Sequence, residues 1–174
     1  MHAPPRSTAV RRLLSIAAFS LVAVTATGRG AGADSVTGSF TAGGKTYKLA
    51  HVYARQQPST TDKGQTVVVI LITDTEVPRS IVDDRYRLEL TDLARAGKVH
   101  GVSVTLGPDG KPSGTGFTYA KEFDGAIVNR ADQQKSQVKI DGTRAEGDLS
   151  GSGTFGSDKW EYTASVKATL ATMK

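Results

Sequence analysis

The imidazoles of His51 and His100 are the side chains best suited to acid–base or metal chemistry beyond the N-terminal segment. An imidazole exchanges a proton near neutral pH, and its neutral form binds zinc. Both histidines fall in alternating apolar stretches, so both can lie on strand faces and meet across a sheet. Tyr47 and Tyr53 alternate with His51 and are predicted to share its face. We therefore take His51, Tyr47, Tyr53 and His100 as the candidate ligand-binding residues.

No recognised spacing connects these histidines to a metal or to a base. The sequence has no H-x-H, no H-E-x-x-H and no cysteine. A zinc site would need a further ligand, available from Asp74, Glu76, Asp83 or Asp84. The interpretation that we favour is two partly buried histidines, hydrogen-bonded to the backbone or to Tyr47 or Tyr53. The sequence therefore predicts no metal site.

Residues 151–156 read Gly-Ser-Gly-Thr-Phe-Gly and match the G-x-G-x-x-G pattern of dinucleotide sites. In such a site the glycines leave a strand and open a helix whose N-terminus receives the pyrophosphate. Here the next stretch, residues 159–170, alternates apolar and polar residues as a strand does. We therefore interpret the glycines as a bulge or loop between strands and predict no cofactor.

A catalytic nucleophile has no sequence signature in this chain, which lacks both G-x-S-x-G and cysteine. Catalysis needs a convergent set of polar groups, and only the two histidines suggest one. We therefore assign no catalytic residue and predict binding rather than chemistry. The alternative is a small secreted hydrolase or metal-dependent enzyme that uses His51 or His100.

Residues 1–33 have the layout of a secretory signal peptide. Three arginines and no acidic residue give a positive start: Arg6, Arg11 and Arg12. Residues 13–26 are mostly apolar, and Ala-Gly-Ala at 31–33 supplies the small residues that signal peptidase requires. We predict cleavage between Ala33 and Asp34, which leaves residues 34–174 as one domain in the periplasm or outside the cell.

The apolar run of residues 13–26 is shorter than the ~20 residues of a membrane-spanning helix, so we predict no transmembrane anchor. The pair Arg11-Arg12 also fits export of folded cargo by the twin-arginine route, although paired arginines open ordinary signals too. Both export routes stay open at this point.

The charge of the chain is concentrated in the signal segment. Four of the 22 Lys and Arg residues, and none of the 17 Asp and Glu residues, lie in residues 1–33. Residues 34–174 therefore carry 18 positive charges against 17 negative ones. A net charge this small gives no support to nucleic-acid binding, so we exclude that partner class.

The mature segment is predicted to be mainly β: an antiparallel β-sandwich or a partly open β-barrel. Gly43-Gly44 predicts a hairpin turn between a strand ending at residue 42 and one running over residues 45–55. Residues 66–73 are apolar on both faces and predict a central strand. Even-numbered residues from Trp160 to Leu170 predict the dry face of a strand with one wet face.

One α-helix is predicted over about residues 80–96, packed against the sheet. Ser80 is its expected N-cap, and Gly97 is expected to end it. Its apolar stripe, spaced at i, i+4, i+7 and i+8, comprises Tyr86, Leu90, Leu93 and Ala94.

The function that we predict is an exported, non-catalytic binding module. Its partner would be a small apolar ligand held in a barrel mouth, or another exported protein met at a sheet edge. A purely structural module of the cell envelope is a further alternative.

Overall fold

The computed structural model describes residues 33–60, 62–84 and 87–172, so the predicted signal segment, apart from Ala33, lies outside the described residues. Within these ranges the chain forms eleven strands, two helices and two 3₁₀ turns. The strands are β1 Ser35–Ala42, β2 Lys45–Lys48, β3 His51–Pro58, β4 Thr66–Thr73, β5 Gly101–Leu106, β6 Thr115–Ala120, β7 Gly125–Arg130, β8 Gln134–Ser136, β9 Lys139–Asp141, β10 Arg144–Phe155 and β11 Asp158–Thr172.

These strands form one curled, open sheet, which confirms the predicted mainly β fold in its partly open barrel form. The strand order is β2-β1-β11-β3-β4-β5-β6-β7, with β10 on β11 and with β8 and β9 on β10. Pairing among the named strands is antiparallel except where Leu170–Thr172 of β11 runs parallel to Ala54–Gln56 of β3.

The concave side of the sheet holds the main core. All six even-numbered residues from Trp160 to Leu170 are buried, which confirms the predicted dry face of β11. They join one apolar cluster with residues such as Phe40, Ile70 and Val104 from the facing strands. Alternation sends the neighbouring residues of each strand to the opposite, outer side of the sheet.

The outer side of β4 is also covered, as its apolar sequence predicted. Leu71 belongs to a second apolar cluster, which includes Leu90 and Tyr119. Val67 and Val69 are buried on the same side. The central strand β4 is therefore dry on both faces.

The Gly43-Gly44 hairpin between β1 and β2 is confirmed, with φ of 54° and 80° at the two glycines. The single strand predicted over residues 45–55 is wrong. The backbone N–H of Leu49 bonds to Gly38 of β1, and that of Ala50 bonds to Thr73 of β4. The chain changes partner strand at this point, so residues before and after it do not keep one alternation.

The helical segment is present after β4 but is two short helices, α1 Arg79–Asp83 and α2 Leu88–Arg95. Asp84 is extended and Arg87 is left-handed with φ of 50°, which interrupts the single helix that the sequence predicted. The predicted Ser80 cap is also wrong, because α1 begins after Pro78 without a side-chain cap. Gly97, with φ of 67°, follows the end of α2 as predicted.

Helix α2 packs on the outer side of the sheet through Leu90 and Ala94, which are fully buried, and the partly buried Leu93. These are three of the four residues of the predicted apolar stripe. The fourth, Tyr86, lies outside the described residues.

The predicted bulge or loop at the G-x-G-x-x-G stretch is confirmed only at Gly156, which lies in the turn between β10 and β11 with φ of 62°. Gly151 and Gly153 instead lie within β10, directly opposite Tyr162 and Trp160 of β11. A Cβ at Gly151 would lie 2.7 Å from the ring of Tyr162, and one at Gly153 would lie 2.8 Å from the indole of Trp160. The two glycines therefore make room for the aromatic rings of the core.

Replacement of Gly153 by alanine is predicted to destabilise the protein by about 1–3 kcal/mol, because the added methyl group would overlap the indole of Trp160. Urea unfolding followed by tryptophan fluorescence measures this loss. The matched control is Ser152→Ala at the exposed neighbouring position, which we expect to change stability by less than about 0.5 kcal/mol. Equal stabilities for the two variants would contradict the packing role of Gly153.

Candidate functional site

The outer side of the sheet carries a groove beside the helices. Its volume is about 710 Å³, within the range of small-molecule sites. Its floor contains Val67 and Val69 of β4, and its walls include Phe117 of β6 and Thr91 of α2. The helices cover the other part of this face, so the groove is the part of the outer face that they leave open.

Arg55 of β3 lines this groove and is only 5% exposed. Strand alternation places it on the outer face, because its neighbour Ala54 points into the main core. Its Nη1 donates to the carbonyl of Val82 at the end of α1, 2.9 Å away. Its Nε is buried and has no hydrogen-bond partner within the described chain. Of the five donors of this guanidinium, the described chain therefore accepts one.

Arg87, at the break between α1 and α2, lines the same groove and is 7% exposed. Its Nη1 donates to the hydroxyl of Tyr119, 3.3 Å away, which is a long hydrogen bond. Arg87 has a left-handed backbone, so the residue that interrupts the predicted helix also lines the groove.

The two guanidiniums have no ion-pair partner within 4.0 Å among the residues that the structure describes. Burial lowers the pKa of Arg55 below its usual value, and the positive charge of Arg87 lowers this pKa further. Asp83 and Asp84 oppose the shift from a longer distance. The groove is therefore lined by two buried positive charges that the nearby protein only partly neutralises.

Hydroxyl groups line much of the remaining surface, but several are engaged within the sheet. The hydroxyl of Ser103 accepts the backbone N–H of Phe117, and that of Thr105 donates to the carbonyl of Thr115. The groove thus combines an apolar floor, satisfied hydroxyls and two arginines with unused donors. Of these groups, the arginines have the largest unmet capacity for a ligand.

Of the four residues predicted from the sequence, Tyr47 and His100 come together. Their rings are stacked, with centroids 3.7 Å apart and an interplanar angle of 9°. The Nδ1 of His100 lies 2.8 Å from Oδ2 of Asp74, and the backbone N–H of His100 donates to Oδ1 of the same carboxylate. An ionised carboxylate only accepts, so Nδ1 carries the proton. His100 thus bonds to Asp74 rather than to the backbone or a tyrosine.

The other two predicted residues lie elsewhere. Within β3, His51 and Tyr53 alternate with Val52 and Ala54, which belong to the main core, whereas Tyr47 packs against that core. The prediction that Tyr47 shares a strand face with His51 and Tyr53 is therefore wrong, for the same reason as the single strand. The hydroxyl of Tyr53 accepts the backbone N–H of Val77, and its ring packs under Arg79.

Glu122, in the 3₁₀ turn Lys121–Phe123 after β6, extends the cluster around Tyr47. Its Oε1 accepts hydrogen bonds from Lys45 Nζ at 3.0 Å and from the hydroxyl of Tyr47 at 3.3 Å. Burial alone would raise the pKa of Glu122, but its backbone hydrogen bond and those from Lys45 and Tyr47 outweigh this effect, so the pKa lies below its usual value. The ionised carboxylate therefore fastens the β2 hairpin to the end of β6.

Two further observations bear on the classes of site considered from the sequence. In residues 33–60, 62–84 and 87–172, no group of three or more His, Asp and Glu side chains could hold a metal ion. No helix in those ranges is long and apolar enough to cross a bilayer.

Comparison with known proteins gives no family for this chain, because no family model, curated protein or solved structure matches it. Function must therefore be inferred from the groove and from the His100 cluster, which comprises Lys45, Tyr47, Asp74, His100 and Glu122.

The sequence reasoning missed Arg55 and Arg87, because arginine is mostly exposed and neither residue belongs to a motif. One signal was available for Arg55. Because β4 is apolar on both faces, some element must cover its outer face. A residue on the outer face of an adjacent strand, such as Arg55, is then expected to lie close to that element. For Arg87 the sequence offered no such signal, because a regular helix was expected there.

The charge of Glu122 is predicted to make stability depend on pH in the acid range. A depressed pKa means that the ionised carboxylate stabilises the fold above the usual glutamate pKa of 4.5 and that this contribution is lost as pH falls below it. Glu122→Gln should therefore be less stable by about 1 kcal/mol at pH 7 and lose less stability on acidification. Urea unfolding at several pH values measures both effects.

Glu161→Gln, at an exposed position of β11, serves as the control and should follow the wild-type pH profile. An unchanged acid limb in Glu122→Gln would contradict the role given to this carboxylate.

Proposed function

We propose that this protein is an exported, non-catalytic binding module that holds a small molecule in the groove beside its helices. The observation that supports the proposal best is the groove itself, a concave site with a buried apolar floor and converging polar side chains. The layout of residues 1–33 supports export, with cleavage between Ala33 and Asp34.

The groove suits a ligand better than the barrel interior does. The concave side of the sheet is filled by large side chains, including Phe40, Trp160 and Tyr162, each less than 3% exposed. A ligand there would have to displace a packed core. A ligand in the groove would only cover surface that the helices leave open.

Blocking the groove is predicted to abolish ligand retention. Thr115 is exposed at the groove, so Thr115→Trp should reduce the bound fraction at least about tenfold without disturbing the core. The measurement is native mass spectrometry of the protein purified from cells that express the full chain, together with thermal shifts in a small-molecule fragment library. Thr169→Trp, exposed on β11, is the matched control and should retain the ligand.

A wild-type protein with no bound mass and no stabilising fragment would overturn the binding proposal. Retention of the same mass by Thr115→Trp would place the ligand outside the groove. Binding of an exported protein that Thr115→Trp leaves unchanged would favour a sheet-edge partner over a small molecule.

A second candidate function, hydrolysis at His100, is favoured by the Asp74–His100 pair. A carboxylate that holds Nδ1 leaves Nε2 as a proton acceptor in a fixed orientation, which is the arrangement of a general base. Under this candidate, His100→Gln would slow hydrolysis of p-nitrophenyl acetate by about 100-fold, and the control His51→Gln would not. Equal rates for wild type and both variants would exclude it.

A further inference from the structure

Arg55 and Arg87 are buried positive side chains without an ion-pair partner in the described part of the chain. Arg55 and Arg87 are each more than nine-tenths buried as residues, and neither has a carboxylate within ion-pair distance in that part. Burial of an unpaired charge is strongly unfavourable, so buried charges are normally paired or coordinate a ligand. Two like charges in one groove increase this cost.

The nearest carboxylates do not supply the missing partner. Asp83 and Asp84 act on Arg55 electrostatically, but neither forms an ion pair with Arg55 or Arg87. One carboxylate oxygen of Asp84 accepts the backbone N–H of Leu88, 3.3 Å away, at the start of α2. These groups therefore reduce the repulsion between the arginines without using their donors.

We propose that the groove binds an organic oxyanion whose carboxylate or phosphate group is held by Arg55 and Arg87. This inference depends on the proposed function, since it concerns the same groove. A guanidinium matches two oxygens of a carboxylate or phosphate with two parallel N–H bonds. An anion that contacts both arginines would accept hydrogen bonds from their guanidinium N–H groups. It would also provide the negative charge that balances them.

The groove also indicates that the anion has an apolar body. At about 710 Å³ it is much larger than a single inorganic ion requires. Val67 and Val69 form its floor, and the side chain of Phe117 is 37% exposed beside them. An aromatic or aliphatic body over these residues would bury apolar surface while its charged end reached the arginines. Neutral apolar molecules would leave the two charges uncompensated.

An arginine kept for binding and an arginine kept for stability affect the unliganded protein differently. A structural arginine stabilises the unliganded fold, whereas an unpaired buried charge destabilises it. Substitution of Arg87 should therefore leave the melting temperature of the unliganded protein unchanged or higher, although the bond to Tyr119 is lost. Sites kept for binding commonly show this exchange of stability for function.

The test uses the full chain and isothermal titration calorimetry with phenyl phosphate, benzoate, inorganic phosphate and neutral benzamide. We expect one or both aromatic anions to bind at least tenfold more tightly than benzamide and inorganic phosphate. Phenyl phosphate and benzoate distinguish a phosphate ligand from a carboxylate ligand. Arg55→Met and Arg87→Met should each weaken anion binding at least tenfold. Arg130→Met, at an exposed arginine on β7, should leave it unchanged.

Arg87→Lys keeps the test decisive if a methionine variant fails to fold. It retains the positive charge but not the paired donors, and it should fold while binding the anion more weakly than wild type. Full anion affinity in this variant would overturn the role of the guanidinium.

Other outcomes would also overturn the inference. Benzamide binding as tightly as the anions would refute an oxyanion ligand while leaving the groove as a binding site. Inorganic phosphate binding as tightly as phenyl phosphate would refute the apolar body. A fall in unliganded melting temperature for Arg87→Met, with anion affinity intact, would make Arg87 structural. If native mass spectrometry shows a molecule bound to the wild type and none of these anions displaces it, the oxyanion inference fails while the proposed binding function stands.

Discussion

The backbone pairing of β11 joins the separate parts of the sheet. Residues 160–167 of β11 pair with β1, residues 158–169 pair with β10, and the last three residues pair with β3. Over its fifteen residues it also directs Trp160, Tyr162 and smaller apolar side chains into the concave side. Backbone hydrogen bonding and burial of this apolar row therefore act together to curl the sheet. Gly151 and Gly153 of β10 allow the curl, because any side chain there would meet the two rings.

A sheet curled around its own core leaves its outer face to be covered by something else. The two helices cover only part of that face, through Leu90 and Ala94. The remainder of the outer face of β3 to β6 is the groove. Helix α2 is only eight residues long, and Arg87, the residue before it, lines the groove.

The groove and the His100 cluster differ in whether their charged side chains are paired with an opposite charge. Around His100, Asp74 accepts from the imidazole, and Oε1 of Glu122 accepts from Lys45 and Tyr47. Oε2 of Glu122 is buried and has no hydrogen-bond partner within the described chain. This cluster fastens the β2 hairpin and the ends of β4 and β6, which is a structural result. In the groove, Arg55 and Arg87 are buried, and each donates one hydrogen bond to the described chain. We place ligand binding in the groove because its two buried arginines have no ion-pair partner among the described residues.

The sequence alone determined the elements whose side chains alternate or repeat within a few residues. The Gly43-Gly44 hairpin, the doubly buried β4, the dry face of β11 and the apolar stripe of α2 were all predictable, because local periodicity reports which side of an element is buried. The partner change at Leu49 and the break at Arg87 were not, since both depend on contacts with distant strands. The tertiary structure alone decided that Arg55 and Arg87, 32 positions apart, face one groove, with no carboxylate of the described residues within ion-pair distance. Periodicity can assign a residue to a face, but only the folded chain determines which other charges share that face and whether water reaches them.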